Sequence, residues 1–236
     1  MMTAMEILNH LKPLGADSYR KILLKHGVKE PVFGVKIEEL KKIQKRVKKD
    51  FQLSLDLYET GVYDAQYLAG LIADETKMTS KILRQWLATA NSSTSCGFAV
   101  AWVTAESPDG WDLAIEWIGS KNEMAVHTGW ATLSSLVSIK DDAELDLKEL
   151  KRLLAVVEKT IHTQPNLVRK AMNGFVISLG SCVKALTDLA IKTGEKIGPV
   201  SVDVGDTDCK VPYAPDSIRK VQQRGNLGKK RMTARC

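Results

Sequence analysis

The chain has 236 residues, with 34 Lys and Arg against 28 Asp and Glu, four Cys and 44% hydrophobic residues. That balance is ordinary for a folded protein and excludes global disorder. No apolar run approaches the roughly 18–20 residues of a membrane helix, and the stretch from Met1 to Lys12 lacks the apolar middle of a signal peptide.

Charge is unevenly distributed. Residues 1–50 hold 12 Lys/Arg against 6 Asp/Glu, residues 209–236 hold 8 against 1, and the middle, 51–208, holds 14 against 21. Two basic ends flank an acidic centre, and ends that meet in space present a positive field to a polyanion. Cys96, Cys182, Cys209 and Cys236 are far apart and form no Cys-x-x-Cys pair. That argues against a zinc site and against a disulfide scaffold. The expectation is a soluble, cytoplasmic protein with reduced thiols, no metal and no cofactor.

In chain order, helix follows helix. Thr3 and Glu6 have capping-box spacing before Ile7, Leu8, Leu11 and Leu14, with a break at Pro13. A second helix spans 18–26 and stops at Gly27. Ile37, Leu40, Ile43 and Val47 recur at three and four between Lys41, Lys42, Lys45, Lys48 and Lys49, an amphipathic helix with a basic outer face. A helix over 53–60 ends at Gly61. Asp64 is read as the cap of a helix carrying Tyr67, Leu68, Leu71 and Ile72, and Thr79 as the cap of 80–89. A largely apolar helix covers 95–104. Ser107-Pro108 reads as an N-cap with proline at the first helical position, before Trp111, Ile115, Trp117 and Ile118.

Further helices are expected over 122–137, from Asp146 through Val157, over 165–179 with a stop at Gly180, and over 181–193. Val200 to Val204 alternates like a strand, which predicts a small hairpin over 200–211. A last helix runs over 215–224, and 226–236 is left as a basic, flexible tail. Helices of this length with short connections fit a compact helical domain or stacked helix pairs of an α-solenoid. The reading is one all-α domain over 1–225 and a tail over 226–236.

Phosphate loops, Gly-x-Gly-x-x-Gly, Gly-x-Ser-x-Gly and His-Glu-x-x-His are all absent. His10, His26, His127 and His162 have no metal-ligand spacing. Asp109, Asp112 and Glu116 fall on two turns of one helix, either as a carboxylate cluster for acid–base work or as acids favoured near a helix N-terminus. Trp111, Trp117 and Trp130 read as packing residues. The C-terminal cations Lys229, Lys230, Arg231 and Arg235 read either as contacts to a phosphate backbone or as a solvated end.

Several stretches carry a resemblance. They are Phe33-Gly34-Val35-Lys36 with Glu39-Leu40-Lys41-Lys42, Leu57 to Gly61, Gln66 to Asp74, Val168-Arg169-Lys170-Ala171-Met172-Asn173, and the ending from Cys209 to Arg231. In order and spacing the chain resembles the AlkD-type DNA alkylation repair family of HEAT-like α-solenoids, and its ending resembles one branch of that family. The resemblance implies a basic concave face that grips duplex DNA, and Arg169 and Lys170 join the candidate contacts. It also implies monofunctional excision of positively charged alkylated purines, with an Asp, an Arg and two Trp around the lesion. A carboxylate beside the sugar stabilises oxocarbenium-like charge and positions water.

Transferred by position, that set meets other residues. The family's Trp-x-x-x-Asp stretch falls at 91–97, around Ser92, Ser95 and Cys96; its Arg falls near His127 or Thr128; its second Trp falls at Gly174. No acid lies between Ala88 and Ala105. The leading expectation is therefore a DNA-binding HEAT-like protein with lost or altered glycosylase chemistry. The alternative is an active glycosylase for 3- or 7-alkylated purines using Glu106, Asp109, Asp112 or Glu116 as the acid and His127 as a cation. A protein-binding solenoid is a third class.

Overall fold

A computed structural model describes residues 2–203 and 210–235. The chain divides into two compact units, one of 2–109 with Arg235, the other of 110–203 with 210–234.

The first unit begins with α1 (Ala4–Leu11), whose capping box is formed as expected: Thr3 N–H donates to Glu6 at 2.8 Å, and Glu6 N–H to Thr3 Oγ1 at 3.2 Å. Then come α2 (Asp17–Lys25), α3 (Ile37–Val47), α4 (Phe51–Glu59), α5 (Tyr63–Ile72) and α6 (Ser80–Thr89). A short α7 (Ser93–Ser95) runs through a π-helical turn, Cys96–Val100, into α8 (Ala101–Glu106). The basic helix α3 buries Leu40 and Ile43 and leaves its lysines outward, which is what its three-and-four spacing demands.

Asp64 corrects a sequence expectation. It does not cap α5; Val62 holds that position. The Asp64 carboxylate is buried and accepts Phe33 N–H at 2.6 Å and Val35 N–H at 2.7 Å. Burial pushes its carboxyl above the ordinary 3.8, and those N–H bonds offset part of the push. The loop it holds passes close to α2: a Cβ on Gly34, whose φ is +79°, would lie 2.7 Å from Arg20 N.

The second unit holds α9 (Gly110–Ile118), α10 (Glu123–Ile139), α11 (Leu147–Thr160), α12 (Asn166–Cys182), α13 (Thr187–Ile197) and α14 (Ala214–Gln223). The α10–α12 contact is its spine, with Trp130 and Phe175 buried at a ring separation of 5.1 Å. Burying rings of this size contributes about 1.5–3 kcal/mol each. The α9–α10 approach depends on Gly129, where a Cβ would come within 2.8 Å of Ile118 Cγ2 and 2.9 Å of the Ala114 carbonyl.

Other expectations shift. Ser107 ends α8, donating Oγ to the Thr104 carbonyl at 2.8 Å, and α9 starts only at Gly110. Gly180 does not stop α12. Its missing side chain admits Ile218 Cδ1 to 2.5 Å and Ala190 Cβ to 2.8 Å of where a Cβ would sit. The hairpin over 200–211 is not seen among the described residues: 200–203 and 210–211 carry no strand, and 204–209 lie outside them. Side chains of α12 take up the backbone there instead. Arg169 donates to the Ser201 carbonyl at 2.8 Å, and Asn166 Oδ1 accepts Asp203 N–H at 3.3 Å. Among the described residues β pairing is confined to a Gly15–Val35 bridge.

Candidate nucleic-acid interface

In the first unit, the segment that the family resemblance singles out is positioned by two amides. Gln66 is fully buried. Its amide donates to the Tyr58 and Thr89 carbonyls at 3.3 and 3.0 Å and accepts Asn91 N–H at 2.8 Å. Asn91 then ties to the 28–31 loop: Lys29 N–H donates to its Oδ1 at 2.9 Å, and its Nδ2 donates to the Lys29 and Gly61 carbonyls at 2.9 and 3.1 Å. Those bonds fix the head of α7. Ser92 caps it, accepting Ser95 N–H at 3.2 Å.

Ser92, Ser95 and Cys96 all face inward. Close packing enforces this, since a Cβ on Gly70 would sit 2.7 Å from Ala99 Cβ. The side chain this segment sends outward is Phe98, 44% exposed. The sequence signal for Phe98 is an aromatic pair four apart, Phe98 and Trp102, in a stretch with no charged residue from 88 to 105.

In the second unit, α10 carries His127 and Thr128. His127 is half-buried and directs Nδ1–H to the Leu167 carbonyl of α12 at 3.2 Å, which fixes the protonated nitrogen because a carbonyl only accepts. Thr128 is buried and returns its hydroxyl to the Met124 carbonyl at 2.7 Å. Gly174, on α12, has no heavy atom within 4 Å of where a Cβ would be. On the same helix Arg169 donates to the Gln164 and Ser201 carbonyls at 2.8 Å, and Lys170 is exposed.

The candidate acids fall in different surroundings. Asp109 accepts a hydrogen bond from Ser80 Oγ and Glu106 pairs with Arg235, both in the first unit. Asp112 and Glu116 are exposed on α9 in the second. Among the described residues no three His, Cys, Asp or Glu side chains are grouped to hold a metal ion.

The C-terminal cations differ among themselves, and the expectation of a flexible tail gives way over 226–235. Lys229 is exposed, bonded to Asn226 Oδ1 at 2.5 Å. Lys230 is mostly buried, with Nζ 2.8 Å from Asp142 and donating to the Val137 carbonyl at 2.9 Å. Arg231 is exposed, and its backbone N–H donates to the Ser138 carbonyl at 2.8 Å. Arg235 is buried: one guanidinium nitrogen lies 2.7 Å from Glu75 and 2.9 Å from Glu106, and another donates to the Ala73 carbonyl at 2.8 Å. Burial pushes the Glu75 carboxyl up, but the Lys49 hydrogen bond and the charges of Arg235 and Lys49 outweigh it and hold the group below its ordinary value.

These packed helices have the HEAT-like repeat structure of a group of DNA glycosylase relatives. A solved structure described as "a new family of proteins related to the HEAT-like repeat DNA glycosylases with affinity for branched DNA structures" is 32% identical, covers 100% of both chains and superposes with a TM-score of 0.92. The sequence model of the DNA alkylation repair enzyme family matches residues 7–213. This chain belongs to that family. Uncharacterized protein Lin0241 of Listeria innocua is 30% identical over 96% of this chain and 100% of its own length. Lmo0209 of Listeria monocytogenes is 30% identical over 95% and 99%.

Proposed function

We propose that this protein binds DNA, with preference for branched forms, and that it has lost the base-excision chemistry of its glycosylase relatives. The observation that carries the second half is the segment 91–106. It offers no acid before Glu106, and Glu106 is engaged by Arg235. Excision of a cationic purine needs a negative group beside the sugar, aimed at charge that develops in the transition state. Here the residues nearest that position, Ser92, Ser95 and Cys96, are buried against neighbouring helices.

DNA as partner is supported by family membership and by a relative with affinity for branched DNA that matches over its full length. Exposed cations fit it: Lys42, Lys45, Arg46, Lys48 and Lys49 on and after α3, and Lys170, Lys229 and Arg231. Cations of this kind bind phosphate without reading sequence. The test is a titration of a three-way fork and a matched linear duplex at fixed salt. Tighter binding to the fork is expected, whereas equal affinity, or none for either, would refute the binding half. Release of methylated bases from alkylated duplex DNA tests the chemical half separately, and background release is expected.

A further inference from the structure

Phe98 is exposed but not loose. Its ring stacks on Trp102 with centroids 5.2 Å apart and planes at 28°. Tyr67 meets its edge at 6.4 Å and 70°, and also meets Trp102 edge-on at 5.5 Å and 88°. Trp102 and Tyr67 are themselves buried. A phenylalanine left this open forgoes much of the burial that would otherwise stabilise the fold. In return the surface gains a flat apolar ring whose rotamer is already fixed, so a second ring laid on it meets little further ordering cost.

The backbone explains the outward turn. The π-helical turn inserts an extra residue into this helix, a feature that recurs at functional sites. The tight Gly70–Ala99 approach decides which side faces α5, and Phe98, one residue earlier than Ala99, is left facing solvent. The surroundings suit a polyanion's base better than an apolar protein segment. From 88 to 105 there is no acid to repel a phosphate. Lys29, tied through Asn91 to the head of the same helix, is exposed and forms no ion pair with another described residue.

We propose that Phe98 is a stacking platform for an unpaired base at a DNA branch point, with Lys29 meeting an adjacent phosphate. This rests on the DNA-binding reading above and supplies a cause for branch preference. Every base has a π-face, so the platform needs no sequence. Inside a linear duplex every base is already stacked on its neighbours, so the platform finds an occupant only where a base has left the stack.

The experiment uses the full chain, a linear duplex and a three-way fork carrying 2-aminopurine at the branch. Phe98→Ala is expected to weaken fork binding roughly 10-fold, the order of one lost base stack, with duplex binding unchanged. Phe98→Leu retains apolar packing on Trp102 but has no flat face and should lose as much, whereas Phe98→Trp should hold affinity. Wild-type binding should change the 2-aminopurine fluorescence, and Phe98→Ala should not. Fork affinity equal to wild type in Phe98→Ala, or an equal loss on fork and duplex, would overturn the platform while leaving DNA binding intact. A wild-type protein with no preference for the fork would overturn both.

Discussion

Lys229 and Arg235 belong to one cationic run, six positions apart, and the fold gives them opposite roles. Lys229 stays in solvent and bonds Asn226, three residues earlier in the chain. Arg235 is 6% exposed and lies between Glu75 and Glu106, each 14% exposed, and it also caps carbonyls at the end of α5. A run of positive residues therefore cannot be counted as so many phosphate contacts. Whether a cation is available depends on acids 129 and 160 residues away in the chain, positions the run itself does not encode.

The largest effect expected from this contrast is on stability. Arg235→Ala should cost about 3 kcal/mol in urea unfolding, because it breaks a buried ion pair, taking the guanidinium from Glu106 and leaving Glu75 to Lys49. Lys229→Ala and Arg231→Ala should each stay within about 0.5 kcal/mol, as exposed substitutions do. Equal, small losses at all three positions would break the contrast.

The Arg235 penalty should also depend on pH, and its sign is fixed. Glu75 is held below its ordinary 4.5 in the folded protein. Its contribution is therefore present above about 4.5 and is lost as pH falls through the lower folded value. Arg235→Ala should be most costly near neutrality and should approach wild type on acidification below 4.5. A penalty constant with pH would remove the ion pairs as its cause.

Smaller again is the effect on DNA binding. Substituting Lys229 and Arg231 together should flatten the slope of log K against log salt by about 1.8, at about 0.9 per phosphate contact. Arg235→Lys, which keeps the charge in place, should leave the slope unchanged. A slope that responds to position 235 and ignores 229 and 231 would reverse the assignment of roles.

The contrast also shows what sequence patterning reads well. Local signals were legible: the Thr3–Glu6 box, the Thr79 and Asp146 caps and the buried stripe of α3 depend on residues within a turn or two. Asp64 has the pattern of a cap because it is an acid near a helix start, while its partners, Phe33 and Val35, are about thirty positions earlier. Gly180 looked like a stop and is instead a contact point for Ile218 and Ala190. Alternation alone points to a hairpin, yet where the chain is described its backbone is bonded by Arg169 and Asn166. At the candidate site, the absence of acid between Ala88 and Ala105 was plain from composition. The outward face of Phe98 was not, because it depends on a π turn and on how closely α5 approaches.

Loss of excision chemistry is measured by single-turnover release of 7-methylguanine and 3-methyladenine from alkylated duplex DNA, with spontaneous loss subtracted. Wild-type release is expected at background, while the same preparation binds the fork. A missing electrostatic stabiliser alone costs about 10²–10³ in rate. Release well above background that Asp112→Asn or Glu116→Gln abolishes would show that excision is retained and establish a relocated catalytic acid on α9.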